Sequence, residues 1–414
     1  MKLETILEKI NGTAVPKGKK VAVAFSGGLD STLCIELLRR IYAAKEIVAI
    51  TIDVGQGDEE MGEVFAKAKM LGIEPILIDA REEFTKEWLS KAIAANSDYN
   101  GYPVSTSMTR QLVAKLVAEK ATELGCDAIM EGSSGKGNDQ YRMHNVFKLF
   151  APGLEILVPV RDFNLTRMEE KLLCEAWKMP VTEQVIGGDD KTLWCRSIAS
   201  GAIDLNQEIS PDVWMWMTPP HLSTDHSIEV KIEFEKGVPI ALNGEVLPLD
   251  LIIQKLNGIA GSRGIGLIDI FEDGIMDLKS REIYEAPAAH VILKLHKDLE
   301  QMCLSKSELQ FKKGIDAQWA YLVYHGMWYH PLKAALDAFI GKTQQVVSGT
   351  SIARLYKGNI EILSRSSPMS LFYPEIRSIK SDSFDQRWCA HAAKINGLPF
   401  EILAKRSCHV EALV

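Results

Sequence analysis

Short apolar runs alternate with longer amphipathic stretches through the first 180 residues. The runs are Val21–Phe25, Ile47–Ile52, Pro75–Ile78, Ala128–Met130 and Ile156–Val160. Between them lie stretches with helical spacing at Asp30–Tyr42, Glu59–Leu71, Thr109–Leu124 and Arg167–Trp177. Runs too short for helices, separated by stretches of about three or four turns, predict βαβ units on a parallel sheet. Such sheets bind ligands beyond the carboxyl ends of their strands. The polar motifs of this half follow apolar runs, which is where that rule puts them.

The pattern changes near Val185. Residues 186–226 carry Gly187-Gly188-Asp189-Asp190, Pro211 and Pro219-Pro220, and read as a long linker or functional loop. Strands are then expected at Glu229–Phe234, Leu267–Phe271, Thr350–Tyr356 and Ile360–Ser364, with helices at Leu249–Ala260, Pro287–Leu304 and Trp319–Ile340. Phe384–Ile395 reads as a last helix followed by a tail. The fold class is therefore α/β: a parallel-sheet domain over residues 1–180, an α+β domain over 181–375, and a C-terminal helix and tail over 376–414.

Composition narrows the function. The chain of 414 residues has 47 Lys and Arg against 55 Asp and Glu, a net charge of −8. That disfavours a broad nucleic-acid surface but not a local anion pocket. Seven dispersed cysteines without a Cys-x-x-Cys pair fit reduced thiols in a cytoplasmic protein. No apolar run is long enough to span a membrane, and the first twenty residues lack the apolar core of a signal peptide.

The first chemical motif follows the first apolar run: Ser26-Gly27-Gly28-Leu29-Asp30-Ser31-Thr32. Adjacent glycines let backbone N–H groups approach a ligand, and a helix N-terminus adds free donors and partial positive charge. The result is an anion cradle, with the spacing of neither a Walker A loop nor Gly-x-Gly-x-x-Gly. Asp53 follows the second run at Ile52. Tyr102, Ser105, Thr106, Ser107 and Arg110 form a second polar group, and a third opens straight from Met130: Glu131-Gly132-Ser133-Ser134-Gly135-Lys136-Gly137-Asn138-Asp139-Gln140-Tyr141-Arg142. Arg, Ser and Thr suit a carboxylate, Asp and Glu suit an ammonium group, and Lys136 suits phosphate charge.

The first string resembles the pyrophosphatase loop of the N-type ATP pyrophosphatases. With the Tyr102 and Gly132–Arg142 strings the resemblance narrows to the argininosuccinate synthases. Leu193-Trp194-Cys195-Arg196-Ser197, Lys279-Ser280-Arg281-Glu282-Ile283-Tyr284-Glu285 and Leu322–Trp328 agree, in the family's order, over roughly residues 19–375. The resemblance implies a Rossmann-like nucleotide-binding domain, a synthetase domain and a C-terminal oligomerisation helix. It implies a ligase that condenses citrulline with aspartate through citrullyl-AMP, releasing AMP and pyrophosphate in arginine biosynthesis. It further implies ATP and Mg2+ as cofactors, a cytoplasmic homotetramer, and no nucleic-acid or membrane partner.

Carried over residue by residue, the resemblance implies ATP contacts at Ala24, Phe25, Ser26, Gly27, Gly28, Leu29, Asp30, Ser31, Thr32, Ile52 and Gly132. Ser134, Asn138 and Asp139 would meet aspartate. Tyr102, Thr106, Ser107, Asn138, Arg142, Ser197, Glu272 and Tyr284 would meet citrulline. Asp30 and Lys136 would be catalytic, and no side-chain metal ligand is implied, the Mg2+ arriving with ATP. The chain departs from the family pattern at Gly188, Arg263 and Leu267. Those departures keep open a related adenylating ligase that joins aspartate to another ureido or amide acceptor. A non-catalytic nucleotide sensor is the third reading.

Overall fold

The computed structural model describes residues 3–180, 189–198 and 209–411, and the chain divides into two compact units between Met369 and Ser370. In the first unit, β1 (Lys20–Ala24), β2 (Glu46–Asp53), β3 (Ile76–Asp79), β4 (Ala128–Met130) and β5 (Glu155–Leu157) form a parallel sheet in the order β3-β2-β1-β4-β5. The strand order reverses at β1, so the ends of β1 and β4 flank the crevice where such sheets bind ligands.

Side-chain alternation explains why helices cover both faces. Val21, Val23, Ala49, Ala128 and Met130 pack with Ile6 and Ile10 of the helix Leu3–Asn11, Leu33 and Leu37 of Leu29–Arg40, and Leu173 of Arg167–Ala176. Ala22, Val48, Ile50, Ile52 and Ile129 point the other way, onto Leu112 and Val117 of the helix Thr106–Glu123. That second core continues into the later part of the chain through Trp194, Val230, Ile252, Leu295 and Trp319. Trp88 stacks on Trp328 at 3.7 Å, and the Lys333 ammonium lies 3.2 Å from the Trp328 ring centre. Beside this seam is a buried polar network. Lys312 meets Glu300 at 3.0 Å and Asp316 at 2.7 Å, and the Asn96 amide donates to Glu300 at 2.6 Å.

The later part of this unit carries two antiparallel sheets. β6 (Asp189–Lys191), β7 (Arg196–Ile198), β11 (Leu267–Asp273) and β12 (Lys279–Glu285) pair in the order β11-β12-β7-β6. β8 (Ile228–Glu235), β9 (Val238–Leu242), β10 (Glu245–Val246), β13 (Gly349–Tyr356) and β14 (Asn359–Ser366) pair in the order β10-β9-β8-β13-β14. The second unit holds the helix Trp388–Glu411, with Trp388, Ile395, Phe400 and Ile402 exposed along it.

Several elements differ from the sequence expectations. Part of the expected linker is sheet: Thr192, Leu193, Trp194 and Arg196 are buried between β6 and β7 or at their ends. The expected helix Trp319–Ile340 is two helices, Lys306–Tyr324 and Pro331–Gln344, because Gly326 turns with φ 77° and Pro331 cannot continue a helix. The helix after Tyr102 opens at Thr106 rather than Thr109, and the last helix runs to Glu411. Cys34, Cys126, Cys174, Cys195 and Cys303 are buried free thiols.

Candidate functional site

The anion cradle lies at the end of β1. Phe25 is pinned to β2, its N–H donating to the Ile50 carbonyl at 2.9 Å and its carbonyl accepting the Thr51 hydroxyl at 2.8 Å. Gly27 has φ 69°, and a Cβ there would stand 3.1 Å from the Val64 backbone, so glycine is required twice over. Lys67 donates to the Gly27 carbonyl at 3.0 Å. The Ser26 and Ser31 hydroxyls are 3.2 Å apart, and Gly28 caps the helix without any side-chain hydrogen bond. The opening N–H groups of Leu29–Arg40 thus have no capping side chain and stand ready for an anion. The Thr32 hydroxyl is buried with no partner among the described residues.

The loop after β4 touches this cradle. A Cβ on Gly132 would fall 2.8 Å from the Asp30 Cβ and 3.2 Å from the Ser31 nitrogen, so only glycine fits. Glu131 beside it is buried, accepting the Ser133 N–H at 2.8 Å, and burial raises its carboxyl above the ordinary range. Lys136 is exposed further along the loop, with no ion-pair partner among the described residues.

Beyond Gly132 a connected network begins. Asp139 accepts from Arg110 at 2.8 Å and from Arg142 at 3.1 Å, and Arg110 also pairs with Asp190. Burial pushes the Asp139 carboxyl up, but Arg110 and then Arg142 outweigh it and hold it below the usual carboxylate range. Arg142 donates through Nε to the Tyr324 carbonyl at 2.9 Å, and its guanidinium lies 4.8 Å from the Tyr324 ring centre. Tyr324 donates to Glu272 at 2.5 Å and accepts from Asn138 at 3.1 Å, while Tyr284 donates to the other Glu272 oxygen. Burial first, and Glu272 second, raise the Tyr284 and Tyr324 phenols, which keeps both as donors. The Tyr102 ring stacks on Tyr284 at 4.4 Å, and its hydroxyl accepts the Ser105 and Thr106 N–H groups at 2.7 Å each.

The structure thus joins Tyr102, Thr106, Asn138, Asp139, Arg142, Glu272 and Tyr284 in one hydrogen-bonded and stacked set. Ser197 lies opposite Tyr284 in the β7–β12 register. Ser134 is half-buried in the glycine-rich loop. Ser107 is fully buried, and its hydroxyl has no partner among the described residues. Gly188 lies outside the described residues. Sequence reasoning assigned no role to Tyr324, the hub of the network, nor to Tyr99, which stacks on it at 3.9 Å, nor to Lys67 and Asp190. Tyr324 lies within Leu322–Trp328, but a tyrosine after Leu322-Val323 reads as helix core.

Comparison with known proteins gives the family. Residues 20–180 match the model of the argininosuccinate synthase N-terminal HUP domain, and residues 188–403 match that of the C-terminal domain. The argininosuccinate synthase of Methanopyrus kandleri is 41% identical over 94% of this chain and 99% of its own length. That of Methanocaldococcus jannaschii is 42% identical over 94% and 100%, and that of Archaeoglobus fulgidus 40% over 92% and 97%. With both domain models matched in order and such relatives covered almost end to end, the chain belongs to the argininosuccinate synthase family of ATP-dependent ligases.

Proposed function

We propose that this chain condenses citrulline with aspartate through the residues assembled above. It is a ligase of arginine biosynthesis that uses ATP. One observation carries the assignment: an anion cradle and a zwitterion pocket meet at Gly132, with Arg142 and Glu272 linked through Tyr324. Arg142 and Thr106 would take the citrulline carboxylate. Glu272, held by the Tyr284 and Tyr324 phenols, would take its α-ammonium. Ser134, Asn138 and Asp139 would hold aspartate. The cradle from Ala24 to Thr32, with Ile52 and Gly132, would hold ATP.

The chemistry follows from these roles. A ureido oxygen is a weak nucleophile and a poor leaving group. Attack on the α-phosphorus makes it part of AMP, which departs readily when the aspartate amine attacks the ureido carbon. Catalysis is then mainly positioning and stabilisation of the departing pyrophosphate. Cradle N–H groups and Lys136 would serve that step. Mg2+, a hard cation that takes oxygen ligands, would accompany the phosphates and neutralise part of their charge.

The departures at Arg263 and Leu267 give no ground for another acceptor. Arg263 bonds to Ser262, Leu267 is exposed at the start of β11, and neither enters the pocket network. We also assign the exposed apolar side chains of Trp388–Glu411 to subunit contacts of a cytoplasmic homotetramer, and retain the divisions 1–180, 181–375 and 376–414. The test is pyrophosphate release from ATP and aspartate, with and without citrulline. Release that ignores citrulline, or no release, overturns the reading.

A further inference from the structure

Arg167 belongs to none of the motifs above, yet it stands against the cradle. Its Nη1 donates to Oδ1 of Asp30 and lies 3.6 Å from Oε2 of Glu170. Asp30 is the second residue of the helix Leu29–Arg40, whose opening turn is the cradle itself. Its backbone and Cβ abut Gly132, the point where the two loops meet. The Arg167 and Asp30 side chains retain 45% and 37% exposure, while Glu170 lies buried beside them. A guanidinium is therefore held at the solvent edge of an anion site by that site's own carboxylate.

Resting on the ligase reading above, we infer that Arg167 is a further catalytic residue, which exchanges Asp30 for the pyrophosphate leaving group. In the adenylation step the acceptor's ureido oxygen bonds to the α-phosphorus. The bond from that phosphorus to the α,β-bridging oxygen breaks, and its electron pair stays on pyrophosphate. Negative charge grows on the leaving group as the bond lengthens, and a guanidinium presents paired donors that match phosphate oxygens. Pyrophosphate carries more charge than one carboxylate, so the exchange is favoured as the step proceeds. Asp30 does not lose its support, because it remains in the first turn of a helix, where the dipole favours an anion. Glu170 does not compete for the guanidinium. Burial, then the neighbouring Asp30, push its carboxyl up to about 9, leaving it neutral at pH 7.

Isotope exchange between pyrophosphate and ATP, run with citrulline and without aspartate, reads adenylation alone. Arg167→Gln should slow that exchange by about a hundredfold, the scale of losing one preorganised donor to developing charge. Arg167→Lys should retain a larger share, since it keeps the charge and loses the fork. In the complete reaction the KM of citrulline and of aspartate should stay at wild-type values. A folded Arg167→Gln enzyme that exchanges at the wild-type rate overturns the inference, whatever its thermal stability. Wild-type enzyme lacking citrulline-dependent exchange would overturn the ligase reading itself, and the inference with it.

Discussion

Replacing Arg142 with alanine separates the amino-acid pocket from the ATP cradle. The side chain is 5% exposed. Its Nε serves the Tyr324 carbonyl and its Nη1 serves Asp139, while Nη2 has no protein acceptor among the described residues. On the proposed reading that third nitrogen would take the citrulline carboxylate. Truncating one partner of a buried, hydrogen-bonded charge pair costs roughly 2–5 kcal/mol. At about 1.4 kcal/mol per factor of ten, the citrulline kcat/KM should fall by about thirtyfold to several thousandfold. The free protein should lose about 2–3 kcal/mol from the carbonyl bond and ring contact, within what a folded domain of ordinary stability tolerates. Asp139 is not orphaned, because Arg110 remains at 2.8 Å.

The assay is initial-rate pyrophosphate release, varying citrulline at saturating ATP and aspartate, then varying ATP. No residue of the cradle Ser26–Thr32 bonds to Arg142 among the described residues, so the ATP KM should hold. Arg142→Lys, charged but without the fork, should fall between wild type and alanine. Equal loss toward ATP and citrulline in a folded variant would refute the pocket assignment.

Three further predictions test the surroundings of the site. Gly132→Ala places a Cβ 2.8 Å from Asp30, so it should cost about 1–3 kcal/mol and raise the ATP KM. A normal ATP KM would mean the cradle does not depend on this contact. Lys312→Ala leaves buried Glu300 and half-buried Asp316 without their cation and should cost about 3–5 kcal/mol in urea unfolding; a loss under about 1 kcal/mol would place the network with weak surface pairs. Glu170 keeps its proton to about 9 when folded and to about 4.5 when unfolded, so stability falls as pH rises between these values. Glu170→Gln removes that slope, and its stability advantage should widen from about pH 5 to about pH 8; parallel curves would show Glu170 ionised in the fold.

What could be read from the sequence follows burial geometry. β1, β2 and β4 were legible because strands covered on both faces appear as unbroken apolar runs. The cradle was legible because Ser26 and two glycines between strand and helix, followed by Ser31 and Thr32 in the helix's opening turn, serve little purpose in a core. β6 and β7 were not, since each has three residues and the first opens on Asp189-Asp190, which reads as a turn. The helix Lys306–Tyr324 did carry a readable signal in Ser305 and Glu308, which cap it reciprocally. Tyr324 was illegible for a different reason. Its phenol meets Glu272, 52 positions away, and Asn138, 186 away, so nothing local marks it as polar machinery.

That dispersal bears on how the pocket works. Tyr102, Asn138 and Arg142 come from the first part of the chain, and Glu272, Tyr284 and Tyr324 from the second. A site split in this way could close only on binding, with ordering costs to match. Here the two parts share one apolar core through Trp88 and Trp328, and the polar groups already satisfy one another without substrate. Glu272 illustrates the consequence. Each of its oxygens accepts one phenol, whereas a carboxylate offers about four lone-pair sites. An incoming ammonium can therefore add to Glu272 without displacing Tyr284 or Tyr324. The donors that fix the Glu272 carboxylate are already in place, so on the proposed reading little reorganisation would be left for the moment of reaction.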